Sequence, residues 1–168
     1  MNSTHTRFLL DTNIFIEAAN KWYPMDIAPG FWDALAARHH EGLVYTIDEV
    51  KREMKAPSIS AWIIGLNADD SFVLNHDAGS MECYARIIQW VDNNRIYTRP
   101  NKAAFAGGAD GFLVAYAAAH GMTVATQEAL ASPGSTQVKI PNLCQQFGVR
   151  YISLYQLVRE LNVRLVME

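Results

Sequence analysis

Four acidic residues stand where the chain changes character: Asp11, Glu53, Asp110 and Glu128. Asp11 ends the apolar run Phe8-Leu9-Leu10. Glu53 falls on a helical segment after a second apolar run, and Asp110 follows Gly107-Gly108-Ala109. Glu128 comes two residues after Met122-Thr123-Val124-Ala125-Thr126. Each alone has an ordinary explanation: a strand-end turn, a helix-dipole partner or a solvated loop. Crowded at one edge, however, carboxylates repel one another and pay for lost water. A hard divalent cation relieves both costs, and Mg²⁺ or Mn²⁺ prefers oxygen ligands, typically one or two carboxylates plus waters and substrate phosphates. Two such ions, about 3.5–4 Å apart, can activate water and stabilise the leaving oxygen in phosphodiester hydrolysis.

Glu49 and Glu53 share a helical spacing. Thr46-Ile47-Asp48-Glu49 fits a capping box, which gives Glu49 a structural task as its third helical residue and leaves Glu53 as the metal-facing carboxylate, with Glu49 in support. Lys51, Arg52 and Lys55 lie around it. An Asp48–Arg52 pair on a solvated face accounts for the charge there. His39-His40 closes a helical stretch where the dipole favours cations, and adjacent helical residues point apart, which disfavours a shared metal. Trp22 and Tyr23 suit base stacking, anchoring of a protein partner, or packing over the core edge.

These residues need a scaffold. Phe8–Leu10, Val44–Thr46, Met122–Thr126 and Val149–Ile152 are short apolar strands, and Phe72–Leu74 is a further extended piece. Helices are expected over Ile14–Ala19, Phe31–Arg38, from Thr46 to about Lys55, over Ser60–Leu66, from a Ser80 cap through Val91, and over Ala109–His120. Two more are expected from Pro141 to Gly148 and from the capping box Ser153-Leu154-Tyr155-Gln156. The stretch Trp22–Gly30 reads as a loop by its prolines and glycine. Strands alternating with helices imply an α/β sandwich around a parallel sheet. Ligands then bind beyond the carboxyl ends of the strands, so Asp11 and the residues after Thr126 should share one edge.

Composition narrows the class. At 168 residues, 50% hydrophobic and 18% charged, a single domain over 1–168 is expected, with a core that needs no disulfides. Fourteen Lys and Arg against 17 Asp and Glu give a net charge of -3, which excludes a globally basic nucleic-acid binder but not a local basic track. Cys83 and Cys144 are far apart, with no CxxC, so neither a zinc knuckle nor a disulfide framework is indicated. No apolar stretch approaches about 20 residues and no secretory pattern opens the chain, so a cytoplasmic location is expected.

The motifs resemble those of PIN-domain ribonucleases. Phe8-Leu9-Leu10-Asp11-Thr12-Asn13 is similar to the family's opening strand, and Val50-x-x-Glu53 to its second motif. Gly108-Ala109-Asp110-Gly111-Phe112-Leu113-Val114-Ala115-Tyr116-Ala117 resembles the third and most distinctive one. Thr126-Gln127-Glu128 occupies the place of the usual Thr-x-Asp. Pro29-Gly30-Phe31-Trp32 and Lys139-Ile140-Pro141-Asn142-Leu143-Cys144 resemble a PIN subgroup long catalogued as a family of unknown function. The resemblance implies a PIN-like three-layer sandwich with about five mostly parallel strands. It also implies Mg²⁺- or Mn²⁺-dependent cleavage of single-stranded RNA, leaving 5′-phosphate and 3′-hydroxyl ends. Many small members are toxins of bacterial toxin–antitoxin pairs, which implies a homodimer and a small antitoxin partner. Carried across by motif, Asp11, Glu53, Asp110 and Glu128 would be metal ligands or water-activating groups, oriented by Asn13 and Thr126. Glu128 is a departure: it adds a methylene to the usual Asp, and residues 129–136 contain no further acid.

Two other enzyme classes fail on residue type. Dehalogenase-like phosphatases need a second Asp two positions after the first, and Asn13 cannot do that proton work. A dinucleotide fold needs a glycine fingerprint after its first strand, and Asp11-Thr12-Asn13 has none. The alternative from a different class is a PIN-like RNA- or protein-binding module whose acidic site is unused.

Overall fold

The computed structural model describes residues 5–167; the expected span of 1–168 reaches outside the described residues at 1–4 and 168. Its centre is β1 (Phe8–Leu10), three apolar residues buried on both faces. Such continuous burial is what a parallel strand covered by helices requires. The chain continues through α1 (Thr12–Glu17), a π turn over Ala18–Trp22, α2 (Pro29–His40), β2 (Val44–Ile47), α3 (Asp48–Glu53), α4 (Pro57–Leu66) and β3 (Val73–Leu74). Then follow α5 (Ala78–Asn93), α6 (Arg99–Ala106), α7 (Asp110–His120), β4 (Thr123–Ala125), α8 (Ile140–Phe147), β5 (Tyr151–Ile152) and α9 (Leu154–Glu160).

All four strand pairings are parallel, and the order is β3-β2-β1-β4-β5. The expected parallel α/β sandwich is therefore present with five strands. The chain steps one way from β1 through β2 to β3 and then the other way to β4 and β5, so connections of the right-handed kind that parallel sheets require put α1–α4 on one face and α5–α8 on the other. The first face is aromatic: Phe15, Trp32 and Trp62 meet with ring centroids 5.1 and 6.2 Å apart. The second is built on α7, whose Leu113, Val114, Ala115 and Ala117 are buried between α5, α8 and the sheet. The reversal between β1 and β4 opens a crevice at their carboxyl ends. Among the described residues, no helix is long and apolar enough to cross a membrane.

Several local expectations need correction. The capping box at Thr46 is not formed. Thr46 is a buried strand residue whose hydroxyl donates to the Leu10 carbonyl at 2.8 Å, so α3 begins at Asp48 without a side-chain cap. Helix α4 begins at Pro57, ahead of the expected Ser60, since a first-turn proline has no amide to lose. Asp77, not Ser80, caps α5, and Ser80 is its reciprocal partner three residues in. The helical path after β1 runs to Trp22 by way of the π turn, and Pro29 and Gly30 are the first residues of α2. Helix α6 lies outside the expected elements, although the Thr98 cap and Pro100 beside it are readable start signals. The Ser153–Gln156 capping box is formed as expected.

Gly111 locks the start of α7. A Cβ there would meet the Phe105 ring at 2.8 Å and Tyr84 at 3.1 Å, and Tyr84 is itself stacked on Phe112 at 3.8 Å. Overpacking costs about 1–3 kcal/mol, partly offset by roughly 1 kcal/mol of helix propensity. Gly111→Ala is therefore expected to lower stability by about 1 kcal/mol. A denaturant midpoint that stays or rises would contradict this packing.

Candidate active site

The crevice collects one acid from each of four places. Asp11 follows β1 and caps α1. Its Oδ1 accepts from the Thr12 amide at 2.7 Å, and its Oδ2 accepts from the Thr126 hydroxyl at 2.9 Å. The Asp11 amide donates to Ala125, which ties the end of β1 to the end of β4. Asp110 is the first residue of α7, set by the Gly107-Gly108-Ala109 turn. Glu53 ends α3, and its carboxylate accepts from the Thr12 hydroxyl. Glu128 Oε2 accepts from the Ile140 amide at 2.7 Å, where the first turn of α8 leaves its amides free.

These acids feel one another. Asp11 is buried, and its carboxyl is pushed up from 3.8 to about 7 by lost solvent and by the charges of Asp110 and Glu128. The Thr126 and Thr12 hydrogen bonds pull the other way. Asp110 also rises to about 7, first by burial and then by Glu128 and Glu53, with Lys139 opposing. Burial, with Glu128 and Asp11 nearby, lifts the Cys144 thiol to about 12, so it stays protonated and inert.

Two hollows flank Asp110. One is lined by Asn101, Phe105, Asp110, Glu128 and Lys139, the other by Glu49, Arg52, Glu53, Gly107 and Gly108. Among the described residues, no three His, Cys, Asp or Glu stand ready to surround one ion with protein atoms alone. Mg²⁺ does not ask for that; one or two carboxylates suffice when waters and phosphates complete its shell. The donor set at this edge is all oxygen, and two of its acids are held near neutrality by unrelieved charge and burial. Those residues fit a hard divalent cation.

The expected residues are thus brought to one edge, with two differences in role. Thr126 orients Asp11 directly, but the Asn13 Oδ1 accepts from the Gln127 amide at 3.0 Å and so braces the loop after β4, not a carboxylate. Glu49 lines the hollow beside Glu53, yet its carboxylate bonds His76 Nε2 at 3.2 Å. Arg52 is taken by Asp48 at 2.6 Å, the solvated pairing expected from the spacing. His39 is buried between the Val44 carbonyl at 2.8 Å and the Ser71 hydroxyl at 2.9 Å, far from any metal role. Thr12, Asn101 and Lys139 join the site without a role expected from the motifs. Thr12 lay inside the first motif, while nothing in the spacing links Asn101 or Lys139 to the acids.

Residues 8–165 match the family model described as Domain of unknown function (DUF4411). No curated protein matches the chain. Among solved structures, the chain is similar to one in the crystal structure of FitAcB from Neisseria gonorrhoeae, at 17% identity and a TM-score of 0.46, over 88% of this chain and 98% of that one.

Proposed function

We propose a function for this chain, which belongs to the family DUF4411, from the chemistry of its acidic edge: it is an endoribonuclease that hydrolyses phosphodiester bonds of single-stranded RNA with Mg²⁺ or Mn²⁺ bound. The observation that carries this reading is the convergence of Asp11, Asp110, Glu53 and Glu128 at the reversal between β1 and β4, with the first two raised to about 7. Asp11 and Asp110 would hold the ion, and Glu53 and Glu128 would assist. Bound there, the cation supplies Lewis-acid chemistry, lowering the pKa of a water and offsetting charge on the phosphate.

The chain's own residues do the positioning. Thr126 and the Thr12 amide engage the two Asp11 oxygens, which fixes the carboxylate before substrate arrives. The Thr12 hydroxyl holds Glu53, and the α8 N-terminus holds Glu128, so the longer side chain is tethered rather than swinging. Lys139 faces the same hollow as Asp110 and Glu128 and offers a cation to a phosphate oxygen. The four motifs' resemblance to PIN-domain ribonucleases supports a role as the toxin of a bacterial toxin–antitoxin pair, working as a homodimer silenced by a small antitoxin.

The test is cleavage of a mixed pool of structured and unstructured RNA in Mn²⁺, with end-group analysis. Cleavage abolished by EDTA, leaving 5′-phosphates, is expected. Products ending in 2′,3′-cyclic phosphate would exclude the mechanism, because they require the RNA's own 2′-hydroxyl as nucleophile. The tethering of Glu128 to α8 is the one observation favouring the alternative, a non-catalytic RNA- or protein-binding module. That reading is the one left if the folded protein neither cleaves RNA nor gains stability from Mn²⁺.

A further inference from the structure

We infer that the hollow between Trp22 and Tyr155 grips one unpaired base of the nucleic acid whose phosphate lies at the acidic edge; this rests on the ribonuclease reading and adds which part of the substrate is held. The hollow encloses about 130 Å³ and is lined by Trp22, Tyr23, Gln127, Ser153, Leu154 and Tyr155. An apolar cavity of about 150 Å³ accepts a single benzene ring, so the space is large enough to take one ring of a base while its open side leaves room for the rest. Its two large aromatics stand in solvent, with Trp22 63% and Tyr155 66% exposed. Tyr23 contrasts with them: its ring stacks on Phe31 at 4.2 Å, and its carbonyl accepts from the Trp32 indole at 2.8 Å. Of the adjacent pair, Tyr23 packs into the core edge, while Trp22, its side chain bonded to Glu17, keeps most of its ring exposed for stacking.

The wall is preorganised. The Gln127 side chain donates to Glu17 at 2.6 Å and accepts from the Leu154 amide at 2.7 Å. The Ser153 hydroxyl caps α9 by accepting from Gln156. With these groups engaged, the base is held by its faces, a contact that tolerates sequence. Two features favour a nucleotide over an aromatic side chain of a protein. Gln127 sits between Thr126, which holds Asp11, and Glu128; consecutive Cα atoms are about 3.8 Å apart, so the hollow opens within a nucleotide's reach of the acids. Arg159 lies 4.9 Å over the Tyr155 ring, a cation beside one of the two exposed aromatics, which complements a phosphate-bearing ligand.

Binding of fluorescein-labelled hexauridylate, hexaadenylate and an abasic hexamer to the full chain in Ca²⁺ tests this, alongside Trp22→Leu and Tyr155→Leu. Hexauridylate and hexaadenylate are each expected to bind about tenfold more tightly than the abasic hexamer. Each variant should lose that preference while binding the abasic hexamer as the wild type does, a pattern that misfolding would not produce. Equal wild-type affinity for hexauridylate and the abasic hexamer, or variants that keep the preference, would overturn the inference. So would variants that lose only the capture of a protein partner. Cleavage in Mn²⁺, measured on the same preparation, separates the two readings. Cleavage without base preference removes the base site alone, and base preference without cleavage removes the ribonuclease alone.

Discussion

Asp110→Asn is expected to fold and to lose Mn²⁺-dependent RNA cleavage by at least a factor of about 100, equivalent to about 2.7 kcal/mol on the barrier. Asp110 lines one hollow of the acidic edge, directly follows the Gly107-Gly108-Ala109 turn that lines the other, and feels both Glu128 and Glu53. The amide keeps the carboxylate's shape, so the turn at Gly107-Gly108-Ala109 and the packing of α7 are preserved. What disappears is the negative charge a hard cation needs. Asp48→Asn is the matched control: it removes a carboxylate that pairs with Arg52 on the exposed side of α3, and its rate should stay within about threefold, the range of surface changes. Initial rates in Mn²⁺ decide. Comparable rates for Asp110→Asn and wild type would remove Asp110 from the chemistry, and equal losses in both variants would indicate a general folding effect.

Without divalent ions, stability should fall as pH rises from about 4 to above 7, and Mn²⁺ should flatten that fall. Asp11 and Asp110 both carry folded-state values raised from 3.8 to about 7. Across this window the folded protein keeps protons that the unfolded chain has released, so raising the pH favours unfolding. The stabilisation is complete below about pH 4 and gone above both folded values. For the buried Asp11, a rise of that size corresponds to roughly 4 kcal/mol. In a chain of this length, that is on the order of 10 °C in Tm. Melting in EDTA at pH 5.5, 7 and 8.5, repeated with Mn²⁺, measures it. Asp110→Asn should flatten the EDTA profile, because it removes one titrating group and part of the repulsion on the other. A wild-type melting temperature indifferent to both pH and Mn²⁺ would contradict the coupled acidic site.

The residues legible in the sequence were those whose type is dictated locally. Asp11 ends an all-apolar strand, Asp110 follows a Gly-Gly turn, and Ser153 and Gln156 cap a helix. Each signal spans a few residues, and each is found in place. Thr46 shows the limit. Its spacing to Glu49 fits a cap, yet its hydroxyl is spent on the Leu10 carbonyl, a partner 36 positions away. Trp22 and Tyr23 show the same limit, being neighbours in sequence of which one stands exposed and the other packs, half-buried, against the core.

The alternation of short apolar runs with amphipathic helices was enough by itself to determine a parallel α/β sheet and the strand ends at which acids would gather. Backbone hydrogen bonding and burial act through local periodicity, which any short window contains. Only the tertiary structure decided the strand order, which puts β4 beside β1 and so joins Thr126 to Asp11 across 115 positions. It alone also seated Glu53 on Thr12, tethered Glu128 to α8, brought Lys139 to the acids and set Gln127 between the acidic edge and the Trp22–Tyr155 hollow. Those are meetings between residues far apart in the chain. They follow from which crossovers the sheet adopts, and no local pattern of residue types encodes them.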